Sequence, residues 1–174
     1  MSAPAAYRLR AYRFPAGADF AGQLAGALER MLLLRGGDLC DALFVQRDAG
    51  TGEPAAVDLR TASAGGTLAA LLDFRLDDGR RRAVTDATLA SGAGRLDRAV
   101  VDELAAALEP DGALLAVIVA DRPVPALEDA VERTGGRLGL DEPAWAGRIA
   151  EVGPEALARV TRALANPATS IHTT

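Results

Sequence analysis

Lysine is missing altogether from the 174 residues, so all 19 basic side chains are arginines. With the abundant Ala, Gly and Asp, this matches the composition of a G+C-rich bacterial genome, a property of codons and not of any site. Cysteine occurs once, at Cys40, which excludes an intrachain disulfide and leaves an oxidising compartment without support. Histidine also occurs once, at His172, in the polar tail "ATSIHTT" that follows Pro167. One Cys and one His cannot assemble a soft-ligand zinc site, so neither metal nor cofactor is expected. Aromatic residues make up only 4%, and the core must be built from Leu, Val and Ala. They are also too few for the exposed base-stacking faces of RNA-binding sheets. The net charge of −5 opposes a phosphate backbone, so nucleic acid is not an expected partner.

Long apolar runs are absent as well. The longest uncharged stretches, 61–72 and 112–120, fall well short of the roughly 20 residues of a spanning helix. The opening "MSAPAAYRLRAYRF" has no apolar segment of the kind a secretory signal needs. A cytoplasmic protein without membrane association is expected.

What is present is a succession of well-punctuated elements, with 49% hydrophobic residues to bury. "YRLRAYRF" alternates apolar residues with Arg8 and Arg10 at period two, a strand with one wet face. Asp19 is placed as an N-cap, and Phe20, Leu24, Leu28 and Met31 follow at helical spacing until Gly36-Gly37. "LCDALFVQ" (39–46) and "AAVDLR" (55–60) read as a hairpin across "RDAGTGEP". From 62 to 94 no period is sustained, and the segment reads as an inserted loop or helix. Order returns with Leu96, Val100, Leu104 and Leu108 on one helical stripe, widened by Val101 and Ala105. "ALLAVIVA" follows, a continuous apolar run of the kind shielded on both faces of a sheet. Pro125 opens another helix, Gly135 closes it, and "RLGL" (137–140) is the last strand. A C-terminal helix is expected around Leu157, Val160 and Leu164.

The order of elements predicts an α+β domain of ferredoxin-like (split βαβ) type, with two helices on one face of a mostly antiparallel sheet. Residues 7–140 form that domain, 1–6 a disordered start, 141–166 a helical extension and 167–174 a disordered tail. The second sheet face needs a cover, because Leu115, Val117 and Val119 would each forgo about 1.5–3 kcal/mol if left in water. The 62–94 segment, the C-terminal helix or a second copy could supply it, and the second copy is the expectation.

The chain also resembles an uncharacterised bacterial family described as "domain of unknown function 1269" and its actinobacterial relatives. The resemblance rests on "LCDALFVQRDAGTGE", "AGGTLAALL", "GAGRLDRAVVDELAAALEPDGALLAVIV" and "LEDAVERTGGRL", in that order. It implies no activity and no catalytic residues. Many family members carry a longer glycine-rich apolar middle, which Asp73, Arg75, Asp77 and Asp78 interrupt here.

Candidate sites are sparse. Arg80, Arg81 and Arg82 could grip an anion or a partner, but Asp77, Asp78 and Asp86 flank them, and intramolecular pairing or a solvated turn is the favoured reading. Gly22 and Gly26 form a small-x-x-x-small pair that would suit close helix packing. Trp145 is the single tryptophan, a lock for the C-terminal segment or an interface anchor. Cys40 lacks an electropositive neighbourhood and reads as a small core residue. No nucleophile, base and orienting group share a motif, so no enzyme is expected. The expected function is a non-enzymatic self-assembling or protein-binding module. The alternative is a ligand-sensing regulatory domain for a small anionic metabolite, closed by Arg80–82 and the 62–94 segment.

Overall fold

The computed structural model describes residues 7–18, 23–33, 39–58, 78–91, 98–144, 158–160 and 162–163. Among these residues, nine elements run in the order β1 (Tyr7–Phe14), α1 (Gln23–Leu33), β2 (Leu39–Arg47), β3 (Pro54–Asp58), α2 (Asp78–Ser91), α3 (Arg98–Ala106), β4 (Ala113–Ala120), α4 (Pro125–Arg133) and β5 (Arg137–Ala144). The strands form one five-stranded sheet in the order β3-β2-β4-β1-β5, with antiparallel neighbours throughout. The protein is therefore α+β.

Hydrophobicity decides which strand is central. "ALLAVIVA" has no charged residue, and β4 sits between β1 and β2 with Ala113 to Val119 all buried. The five-residue β3 takes an edge. Along β4 the side chains alternate between two cores. Leu115, Val117 and Val119 are fully buried against Leu24, Leu28 and Met31 of α1 and Leu127 and Val131 of α4. Leu114, Ala116 and Ile118 face Val101, Leu104 and Ala105 of α3, joined by Val160.

This corrects two expectations. Helices cover both faces, because α3 crosses to the face opposite α1 and α4. The second shield of β4 thus comes from the same chain, and the argument for self-association through the sheet face disappears. Of the stripe expected on α3 and just beyond it, Val101, Leu104, Ala105 and Leu108 are buried and Val100 is partly so, while Leu96 lies outside the described residues.

Two glycine-dependent joins fix the groove-bearing side. At the end of α4, the Gly136 amide donates to the Val131 carbonyl at 2.8 Å and the Gly135 amide to Glu132 at 3.0 Å. Gly135 adopts φ 78°, the left-handed value of this helix ending. Pairing of β5 with β1 then skips Gly139, since Ala11 pairs with Leu140 and Tyr12 with Leu138. That bulge turns Leu138 and Leu140 to opposite faces of the sheet. The last strand also runs on from "RLGL" through Asp141 to Ala144.

Candidate functional site

The arginine cluster expected to meet an anion lies at the start of α2, not on a loop. Arg81 Nη1 is 3.0 Å from Asp48 Oδ2, and Arg82 Nε is 3.6 Å from Glu53 Oε2; the side chain of Arg80 lies outside the described residues. Asp48 is itself anchored: its Oδ1 accepts from the amides of Gly50 and Thr51, both at 2.8 Å. Those backbone bonds, with Arg81 nearby, hold the Asp48 carboxyl below its ordinary value. The cleft bounded by Asp48, Thr51, Glu53, Arg81 and Arg82 has about 20 Å³ of free space. That admits one water and no metabolite. Arg81 and Arg82 therefore tie α2 to the β2–β3 turn.

The remaining expected positions are just as plain. Leu115, Val117 and Val119 are interior packing. Among the described residues, a Cβ placed on Gly26 would meet only the tip of Arg30, at 3.6 Å, and no backbone packs closely there. Gly22, Trp145 and His172 lie outside the described residues. Cys40 is half-buried beside Tyr7. The Tyr7 phenol is pushed above its ordinary value by Cys40, through charge first and the hydrogen bond between them second.

What sequence reasoning missed lies on the other side of the sheet. A groove of about 280 Å³ runs between α4 and the β1–β5 pair, lined by Arg10, Tyr12, Glu128, Glu132, Leu138 and Asp141, with Val131 and Gly136 at its base. Arg10, on a central strand, is not in open water: its side chain is 12% exposed, with Glu128 at 3.3 Å and Asp141 at 3.5 Å. Arg8 binds the Asp141 carboxylate through Nε and lies 4.0 Å from Asp121. The hydrogen bond to Asp141 raises the Arg8 guanidinium above its ordinary value. Burial raises the Tyr12 phenol, and Arg10, hydrogen-bonded to it, opposes that shift. A signal for this cluster did exist in the antiparallel pairing of "RLR" with "DEP", but only once β5 was known to lie beside β1.

The groove holds the ion pairs of Arg10 with Glu128 and Asp141, although Arg10 Nε is buried without a hydrogen-bond partner among the described residues, and the groove lining offers no arrangement of nucleophile and base. Among the described residues, no three His, Cys, Asp or Glu side chains converge to hold a metal ion. No described helix is long and apolar enough to cross a membrane. The feature the groove does offer is its outer wall. β5 is a sheet edge whose residues are mostly exposed, and Leu138, 48% exposed, is the one large hydrophobic side chain left in water among the described residues.

Comparison with protein-family models, curated proteins and solved structures finds no match to this chain.

Proposed function

We propose that the protein is a non-enzymatic module that binds a protein partner by strand addition along β5. The observation that carries this is an asymmetry between the two sheet edges. At β3 the edge is closed: the Ala56 amide donates to Thr85 Oγ1 at 3.1 Å, and Thr88 Oγ1 donates to the Ala56 carbonyl at 3.3 Å. At β5 no described element pairs with the outer side of the strand. An unpaired strand edge is a template for another strand. Here it runs beside a groove lined by both apolar and charged side chains, with α4 as one wall, the layout in which an added strand gains main-chain bonds from the edge and side-chain selectivity from the groove.

The scaffold is read as ferredoxin-like with a displaced assignment. β1-α1-β2 and β4-α4-β5 are the two interlocked βαβ units, supported by β4 lying between β1 and β2 and β1 between β4 and β5. β3, α2 and α3 are then the insertion, which closes one edge and covers the second face. This leaves β5 as the working edge.

A photo-cross-linking residue placed at Leu138, compared with one at the exposed Asp102 of α3, tests the proposal in cells making the full chain. Adducts concentrated at 138 are expected. Equal yields at the two positions, or none at 138, would sink it.

A further inference from the structure

We infer that the strand added to β5 is the β5 of a second copy of this chain, antiparallel across a twofold axis, with Arg137 of each copy opposite Glu142 of the other. The inference rests on β5 being the binding edge and adds the identity of its partner.

The register follows from geometry before charge is considered. Residues directly opposite in an antiparallel pair must point to the same face. Past the bulge, Leu140 packs with the α3 core, whereas Leu138 and Asp141 line the groove on the other face. Glu142 shares the face of Leu140, and Arg137 alternates from Leu138 onto that same face. An axis between Gly139 and Leu140 pairs Leu138 with Asp141 and Arg137 with Glu142, face matched to face. An axis through Leu140 would set Leu138 against Glu142 on opposite faces. An axis through Glu142 restores the parity, and one through Asp141 does so only past the bulge, setting Leu138 against Ala144 on opposite faces; both also oppose a carboxylate to its own copy, which is destabilising. Of these axes, the one between Gly139 and Leu140 alone matches the faces without opposing like charges.

Charge favours that register. β5 reads Arg137 at its start and Asp141-Glu142 towards its end, so reversal of the strand is self-complementary. No ion pair or side-chain hydrogen bond engages Arg137 among the described residues. Glu142 already takes Arg159 at 2.8 Å and 3.0 Å, but a carboxylate has about four acceptor sites and can take a second guanidinium. Leu138, exposed in the single chain, gains a neighbouring strand. The interface is short, so weak self-association is expected.

Two charge reversals test this. In Arg137→Glu both cross-strand pairs become Glu against Glu, and in Glu142→Arg both become Arg against Arg. Each variant alone should lose self-association by about tenfold in a sedimentation concentration series. An equimolar mixture should recover it, because both pairs then join Glu to Arg. A variant that had merely unfolded could not be rescued by mixing. If the unaltered chain stays monomeric up to its solubility limit, or if both reversals leave its association unchanged, the second copy is not the partner. The reading of β5 as a binding edge fails separately, by the absence of any adduct at position 138; an adduct of another mass leaves it standing and overturns only the second copy.

Discussion

The hydroxyl of Thr85 accepts the hydrogen bond of the Ala56 amide at 3.1 Å and donates its own to the Arg81 carbonyl at 2.8 Å. A helix thereby finishes the job of a missing strand, since the outward amide and carbonyl of a sheet edge find side-chain partners one turn apart on α2. Both Thr85 and Thr88 are buried, at 2% and 0% exposure, so water cannot replace them.

Thr85→Val keeps the shape and removes the acceptor, leaving the Ala56 amide buried and unpaired. A loss of about 1–3 kcal/mol is expected, the usual cost of a stranded buried donor. Urea unfolding should show a lower midpoint at an unchanged slope. An unaltered midpoint would mean that α2 does not close this edge in solution.

Two glycines separate a close approach from ordinary helix cost. A Cβ on Gly136 would lie 2.5 Å from Phe14 Cε1 and 2.7 Å from Val131 Cγ1, inside the groove base. Gly136→Ala should destabilise by about 1–3 kcal/mol through overpacking. Gly26→Ala, inside α1 with only the Arg30 tip 3.6 Å away, should stabilise by about 0.5–1 kcal/mol. Thermal melting of the two variants should therefore move in opposite directions. A shift of the same sign in both would contradict the packing described for one of them.

The parts of the fold that were legible are those where local chemistry and burial agree. β4 shows its double burial in eight apolar residues, and Pro125 and Gly135 bracket α4 as they stand in the chain. α2 was not legible, because its buried stripe is made of Thr85 and Thr88 and so leaves no apolar period to detect. The second half of β5 was hidden for a different reason. "DEPA" has little strand propensity, and it is held in the sheet by pairing with β1 and by Arg8 on Asp141. The same non-local pairing hid the groove: Arg8 and Arg10 look like a wet face until Glu128 and Asp141 are brought over them. The candidate edge was invisible because an edge is defined by what other strands do.

The acid limb of the stability curve should carry the signature of Asp48. Its folded value is depressed below the ordinary 3.8, first by the backbone bonds from Thr51 and Gly50 and further by Arg81. The unfolded chain therefore binds the proton more readily than the folded one between those two values. The stabilisation is fully present above pH 3.8 and drains away as the pH falls towards the folded value. Asp48→Asn keeps an oxygen for the two amides but removes the charge opposite Arg81, so the variant should be less stable at neutral pH and less sensitive to acid. In a series of urea titrations from neutral to strongly acidic pH, the gap between the two proteins should close below pH 3.8. A gap that stayed constant across the series would show that the charge of Asp48 contributes nothing to holding α2 against the β2–β3 turn, and the thermodynamic role assigned to Arg81 would go with it.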